Sequence, residues 1–136
     1  MQIGDVSYFA PNIPFEALDV SGDQLPDQIL ARFEGYYLQP ADLCIQTDHA
    51  FAAGLLAVAC IDAASHFAHG ANRAKRLVGR DFKTYARTRL SSFRKPNDAA
   101  LLYDEYRNGL VHEARLKNGC QFSLNIGNTL NTTGQS

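Results

Sequence analysis

The stretch from residue 42 to residue 69 leaves few choices for the fold of this chain. Its apolar side chains recur at helical spacing and leave little of its middle polar, which predicts one long helix at the centre of a bundle. These side chains are Phe51, Leu55, Leu56, Val58, Ile61, Ala64 and Phe67. The most apolar part, residues 50 to 61, spans about twelve residues, whereas crossing a bilayer needs roughly twenty. We therefore expect a buried core helix and no membrane segment.

Three other helices follow from apolar periodicity and from start and stop signals. One runs from about residue 26 to 37, with Pro26 in its first turn and Pro40 as its stop. A second runs from about 81 to 93 and ends before Pro96, and a third runs from about 98 to 113. Their inward stripes are predicted to be Phe82, Tyr85, Ala86, Leu90 and Phe93 in the second, and Ala99, Leu102, Tyr106 and Leu110 in the third.

The ends of the chain have a different character. Residues 1–25 contain Pro11, Pro14 and scattered aromatic side chains, which predicts an extended arm packed on the core rather than a regular element. The Asn118-Gly119 dipeptide predicts a hairpin over residues 115–124, and the tail over 125–136 is polar. The expected fold is therefore all-α. It is an up-and-down bundle of four to five helices over residues 26–124, with a short C-terminal β-hairpin.

Composition and cysteine usage agree with a folded cytoplasmic protein. The apolar fraction is 46% and the charged fraction is 20%, which excludes a disordered chain. The N-terminal residues have no basic region, so we expect no secretory signal. Three cysteines without close pairing predict reduced thiols and neither a disulfide framework nor a zinc knuckle.

The charges are strongly segregated along the chain. Residues 1–72 hold nine acids and one base, and residues 73–95 hold nine bases and one acid. Such a basic block is a candidate docking surface for RNA, and the block's candidate RNA-binding side chains are Arg73, Lys75, Arg76, Arg80, Lys83 and Arg87. The alternative is a solvated face that pairs with the acidic half of the chain or with a partner.

The last predicted helix carries the candidate chemistry. Asp104, Asn108 and His112 recur every four residues and should line one face, with Arg107 beside Asn108. In a straight helix Arg107 and His112 lie about 140° apart, so a single helix is not expected to pair them well. Gly109 lies between them and costs roughly 1 kcal/mol relative to alanine, which suits close packing against a symmetry mate.

One positioned histidine and one phosphate-holding arginine form a minimal set of groups for cleaving RNA. Histidine transfers protons near neutral pH, and the arginine fork matches phosphate oxygens. RNA supplies its own nucleophile, the 2′-hydroxyl, so neither a metal nor a cofactor is needed.

The stretch Arg107-Asn108-x-x-x-His112 resembles the Arg-x(4–6)-His motif of HEPN domains (higher eukaryotes and prokaryotes nucleotide-binding). The resemblance extends over roughly residues 26–115, and the phrase from Leu102 to His112 looks like that of small uncharacterised bacterial HEPN-like proteins. It implies a helical bundle that forms a homodimer with two motifs facing one cleft. It also implies a metal-independent endoribonuclease of the toxin or defence type, with a possible antitoxin or other partner protein.

By this resemblance, Arg107 would hold the scissile phosphate, His112 would transfer or position the proton, and Asn108 would orient both. One toxin subset carries a tyrosine two residues after the histidine, which a partner nucleotidyltransferase modifies. Ala114 stands at that position here, which argues against that form of control.

Other interpretations remain open at this point. Arg107 could pair with neighbours such as Asp104, and His112 could cap the end of its helix. Asp62, His66 and His69 lie at spacing that suits a metal, although a buried Asp62 bonded to a neighbouring helix is expected instead. The chain could also be a non-catalytic HEPN-like interaction module or a nucleotide-binding regulator.

Overall fold

A computed structural model describes residues 1–70 and 77–113 of the chain. This part is mostly helical, with a small antiparallel sheet at the N-terminus. The helices are α1 (Leu25–Phe33), α2 (Gln39–Gln46), α3 (Ala50–His69), α4 (Val78–Arg89), α5 (Pro96–Leu101) and α6 (Asn108–Glu113). The strands are β1 (Gln2–Ile3), β2 (Val6–Ala10) and β3 (Ile13–Pro14). The prediction of a helical fold is thus confirmed in its coarse form, and the sheet is a difference.

The N-terminal arm is more regular than predicted. The three strands pair in the order β1-β2-β3, and Phe9 and Ala10 of β2 are buried. The guanidinium of Arg32 in α1 donates to the Phe9 carbonyl and lies over the Phe9 ring, with 5.0 Å between the guanidinium carbon and the ring centroid. The scattered aromatic residues gave little indication of strands because the two outer strands have only two residues each.

The prediction that Pro40 ends the first helix is wrong. A π-helical turn, Glu34–Leu38, follows α1 directly, and α2 then begins with Pro40 in its first turn. Proline has no backbone N–H to donate. The widened turn places Pro40 at a position where no N–H donor is required. The same turn contains Gly35, where a side chain would overlap the ring of Pro11. The helical chain therefore continues past Pro40 with a change of register.

The single helix predicted over residues 42–69 is in fact two helices, α2 and α3. Asp48 adopts a left-handed backbone conformation, with φ 58°, and the N–H of His49 donates to the Cys44 carbonyl over 2.7 Å. This arrangement ends α2 in the way that a glycine would, and aspartate tolerates the conformation better than most residues. Apolar periodicity cannot reveal such a break because the apolar residues resume at once in α3.

Helix α3 is less buried than the predicted central core helix. Ala53, Gly54 and Val58 are buried, whereas Phe51 is 47% exposed and Leu55 is 37% exposed. The helix is also longer than the stretch judged too short for a bilayer, with 20 residues and a mean hydropathy of 1.6. Within the described residues it is the one helix with the length and composition to cross a membrane. It packs against α2 and α4, which is compatible with a soluble protein.

The main core lies between α3, α4 and the last helical segment. Phe82, Ala86 and Tyr106 are completely buried, and Val58 and Leu102 are nearly so. The predicted stripe of the last helix is confirmed at all four of its positions, Ala99, Leu102, Tyr106 and Leu110. In α4 the stripe is confirmed at Phe82 and Ala86, while Leu90 and Phe93 pack against the core from its edge. Tyr85 is half-buried.

The last predicted helix is continuous but not uniform. A π-helical turn, Leu102–Arg107, joins α5 to α6, and the N–H of Asn108 donates to the Tyr103 carbonyl five residues before it. The predicted hairpin over 115–124, the polar tail over 125–136 and residues 73–76 of the basic block lie outside the described residues.

Candidate active site around Arg107

Arg107, at the end of the second π-helical turn, contacts both other predicted catalytic residues. Its Nη1 lies 3.1 Å from Oδ1 of Asn108 and 3.1 Å from Nε2 of His112. Nη1 carries two hydrogens, so one hydrogen is available for each acceptor. The structure therefore brings the three predicted catalytic side chains together within one chain.

The contact between the two basic side chains fits one tautomer of the imidazole. A guanidinium can only donate hydrogen bonds, so Nε2 of His112 must accept this one. The tautomer that fits this contact carries its hydrogen on Nδ1. His112 is exposed, so a ligand can approach this residue.

The expectation that a single helix would not pair Arg107 with His112 is wrong. Five residues advance about 7.5 Å along a helix, and the two side chains bridge this distance, with 3.1 Å between Nη1 of Arg107 and Nε2 of His112. The guanidinium is also held from a second side by α3. Gly109 is buried within the chain itself, so in this structure it serves the packing of its own subunit.

Asp62 of α3 holds the other side of the guanidinium. Its Oδ2 lies 3.1 Å from Nη2 of Arg107, and the two side chains are only 23% and 15% exposed. The expectation that Asp62 bonds to a neighbouring helical segment is confirmed, and Arg107 is one partner. At this burial the carboxylate both orients the guanidinium and compensates its charge.

The ring of Tyr103 links Arg107 to the basic helix α4. Its centroid lies 5.6 Å from the guanidinium carbon of Arg107 and 5.3 Å from Nζ of Lys83. Tyr103 can lie this close to α4 because residue 79 is a glycine, where an added Cβ would come within 3.0 Å of the ring. The candidate catalytic arginine and one predicted RNA-binding lysine therefore contact one aromatic ring.

The remaining predicted RNA-binding residues divide into two groups. Arg80 and Arg87 lie on α4 and are exposed, while Lys83 between them is half-buried. Arg80 also faces the nearly buried Asp81, with 3.9 Å between Nε and Oδ1. Arg73, Lys75 and Arg76 lie outside the described residues.

A cavity of about 310 Å³ adjoins the guanidinium. Its apolar wall comes mostly from α3, and its polar lining comes from Tyr37, Asp62, His66 and Arg107. Tyr37 belongs to the first π-helical turn and Arg107 to the second. Such turns occur frequently at functional sites because they redirect individual side chains. Both irregular turns of the described chain thus contribute a side chain to this cavity.

The alternative metal site is not supported by the positions of its residues. Nδ1 of His69 lies 2.7 Å from the carbonyl of Ser65, and Oδ2 of Asp62 is occupied by Arg107. Within the described ranges there is no group of three potential metal ligands.

Cys60 of α3 is half-buried, and burial raises the pKa of its thiol because the thiolate is poorly solvated there. A thiol in this state is a weak nucleophile, which indicates a structural rather than a chemical role.

Sequence reasoning found the three polar residues of the site and missed the cavity beside them. Tyr37 and His66 lie on two different elements, and only the π-helical turn brings Tyr37 to the same space as Arg107. The one local signal is Pro40, shortly after an aromatic pair, and a proline there predicts a helix stop. Nothing in the spacing of residues 34–38 predicts the widened turn itself.

The chain matches no protein-family model, no curated protein and no solved structure.

Proposed function

We propose that this protein is a metal-independent endoribonuclease of the HEPN type, active in the cytoplasm as a homodimer. The observation that carries the proposal is the contact between Nη1 of Arg107 and Nε2 of His112, with the guanidinium held by Asp62. It supports the proposal because a phosphate-binding group and a neutral proton acceptor lie 3.1 Å apart at the surface. The resemblance of residues 102–112 to HEPN-like proteins supports the same reading.

The reaction follows from these two groups. The scissile phosphate would replace His112 as the acceptor for Nη1 of Arg107, which frees Nε2 of the imidazole. Nε2 would then take the proton from the ribose 2′-hydroxyl while the 2′-oxygen attacks phosphorus. The bond from phosphorus to the 5′-oxygen breaks, and that oxygen takes a proton as it leaves. The products are a 2′,3′-cyclic phosphate and a 5′-hydroxyl, so no water or metal is consumed.

The second proton transfer favours two subunits. One neutral imidazole can accept the first proton, and the leaving 5′-oxygen needs a different donor on the opposite side of the phosphorus. A protonated His112 from a second copy would supply it. The apolar side chains of Phe51, Leu55 and Val111 are all partly exposed, and Val111 immediately precedes His112. A contact with a second copy through these side chains would cover them.

Substrate docking would use the basic side chains of α4. Arg80 and Arg87 are exposed, and Lys83 is joined to Arg107 through the Tyr103 ring. A phosphate backbone along α4 would therefore lead to the guanidinium. Such contacts are electrostatic and independent of sequence, and they weaken as salt displaces them.

A second candidate function is a non-catalytic interaction module. The ion pair with Asp62 favours it. A purely structural arginine would also be hydrogen-bonded to side chains of its own chain, as Arg107 is. In that case the segregated charges and the apolar surface would guide assembly with a partner.

Incubation with RNA in EDTA separates the two functions. The wild-type protein should cleave, and His112→Ala should lower the rate about 10²–10⁴-fold, the usual value for a proton-transfer group. Arg107→Lys keeps the charge but loses the fork and should also be impaired. The matched control is His49→Ala, since His49 is exposed at the junction of α2 and α3 and lies outside the site. Absence of cleavage by the wild type would favour the interaction module.

A further inference from the structure

Two cations of α4 are available to an anionic ligand. Lys83 and Arg87 lie one helical turn apart, about 6 Å along the axis, and therefore share a face of the helix. Neither of them pairs with a carboxylate in the described part of the chain. Arg80 lies on the same face, but its Nε is 3.9 Å from Oδ1 of Asp81, which offsets part of its charge. The face is therefore most free to bind phosphate at Lys83 and Arg87.

Lys83 lies close to the guanidinium of Arg107. Its Nζ is 5.3 Å from the centroid of the Tyr103 ring, and the guanidinium carbon is 5.6 Å from the same centroid. The two cations are therefore separated by one aromatic ring. Each would reach its phosphate through a charge-assisted hydrogen bond of about 2.7–2.9 Å. Phosphates bound to Arg107 and to Lys83 can thus be neighbours in one strand, and Arg87 continues the row by another helical turn.

Tyr103 and His112 lie on opposite sides of Arg107 along the helical segment that contains all three. Tyr103 precedes Arg107 by four residues, or about 6 Å, and His112 follows it by five, or about 7.5 Å. Lys83 contacts the Tyr103 ring. Lys83 therefore approaches the guanidinium from the end opposite to His112.

This order along the helix sets the direction of a bound strand. In a displacement at phosphorus, the attacking and leaving oxygens lie roughly in line on opposite sides. His112 would take the proton from the 2′-hydroxyl, so the attacking ribose lies on the His112 side of Arg107. The leaving 5′-oxygen, and the strand that continues from it in the 3′ direction, then lie on the side of Tyr103 and Lys83.

We infer that Lys83 and Arg87 bind the first and second phosphates on the 3′ side of the cleaved bond. The inference rests on the proposed function, because the reaction sets the direction of the strand. It names the substrate class as RNA that continues for at least two phosphates beyond the cut. The bond to a 3′-terminal nucleotide would be a poor substrate, since no phosphate would then reach Lys83. Contacts with the backbone carry no base preference, so they select position rather than sequence.

Single neutral linkages in a chimeric strand test this register. The strand is deoxyribose throughout except for one ribose, which carries any of the four bases, so the one cleavable bond is known. A methylphosphonate at the first or second linkage on the 3′ side should lower kcat/KM of the wild type about five- to tenfold at about 0.1 M salt, since one phosphate contact contributes about 0.7–1 to the salt slope. The same change at the matching linkages on the 5′ side should have less than about a twofold effect.

Three variants assign each linkage to its side chain. Lys83→Gln should be insensitive to a neutral first linkage and remain sensitive to a neutral second one, and Arg87→Gln should show the reverse. The matched control is Arg89→Gln, since Arg89 is exposed on the same helix and lies on the face opposite to Lys83 and Arg87. It should respond to each linkage as the wild type does. Circular dichroism and thermal melting establish that each variant is folded.

Binding of an all-deoxy strand separates the phosphate contacts from the nuclease, because this strand offers no 2′-hydroxyl. In fluorescence anisotropy, Lys83→Gln and Arg87→Gln should each lower the slope of log affinity against log salt by about one, and Arg89→Gln should leave it unchanged. These losses without any cleavage of RNA would support the contacts and overturn the nuclease. Cleavage that is equally sensitive to neutral linkages on both sides, or still sensitive to the first 3′ linkage in Lys83→Gln, would overturn the register and leave the nuclease standing.

Discussion

Replacing Asp62 by alanine removes the carboxylate that holds the Arg107 guanidinium. The Nη2 to Oδ2 distance is 3.1 Å, and the side chains are 15% and 23% exposed. Exposed ion pairs contribute about 0.2–1 kcal/mol, whereas removing one partner of a buried pair costs about 3–5 kcal/mol. The burial of this pair lies between that of an exposed pair and that of a fully buried pair. We therefore expect Asp62→Ala to lower the free energy of unfolding by about 2 kcal/mol.

Urea unfolding followed by circular dichroism measures this loss. For a chain of this length the same change should lower the melting temperature by about 6–8 °C. Asp62→Asn keeps the shape and one acceptor but loses the charge, so it should cost about half as much. Asp42→Ala is the matched control, because that carboxylate is exposed on α2 and its removal should change stability by less than about 0.5 kcal/mol.

A double-mutant cycle isolates the pair from the other contacts of Asp62. The single variants Asp62→Ala and Arg107→Ala are compared with the double variant, and we expect a coupling free energy of about 1–2 kcal/mol. Additive effects within about 0.3 kcal/mol would refute the reasoning, since they would mean that the two side chains do not interact in the folded protein.

Three further predictions concern the surroundings of the site. Gly79→Ala should destabilise the protein by about 1 kcal/mol because the new Cβ meets the Tyr103 ring. In a Tyr103→Ala background, thermal melting should show that the same substitution is stabilising. Equal effects in both backgrounds would contradict the contact. Arg87→Ala should reduce the slope of log RNA affinity against log salt by about one, measured by fluorescence anisotropy, and an unchanged slope would remove α4 from the docking surface. Cys60, whose thiol pKa is raised by burial, should react with iodoacetamide at about pH 8 several-fold more slowly in the folded protein than in urea. The raised pKa contributes stability that is present below the pKa of the unfolded thiol and is lost as pH rises through the pKa of the folded thiol. Equal reactivity with iodoacetamide in the folded and unfolded states, measured by mass spectrometry, would contradict the burial.

The sequence predicted most of the helical content because apolar periodicity reflects burial directly. The four core positions of the last helix, from Ala99 to Leu110, follow from their spacing alone, and all four are buried. Periodicity fails where the backbone changes register without a change in composition. The left-handed residue Asp48 and the turn before Pro40 are such places, and each altered a predicted helix boundary.

The candidate site was predictable in its residues and not in its geometry. Chemistry alone could select Arg107, Asn108 and His112. Their contact, however, depends on side-chain conformation and on an ion pair with a residue of another helix. The sequence separates Asp62 from Arg107 by 45 residues, and nothing local indicates that they meet. The cavity was missed for the same reason, since its lining comes from the first π-helical turn, from α3 and from the end of the chain's described part.

The most direct test of the central claim compares two versions of one RNA in EDTA, with ribose or 2′-deoxyribose at the cleaved position. We expect the wild-type protein to cut only the ribose version, to leave a 2′,3′-cyclic phosphate, and to lose about 10²–10⁴-fold of this rate in His112→Ala. Cleavage of the deoxy version, or an unchanged rate in the variant, would contradict the assignment of Arg107 and His112 as the cleaving pair.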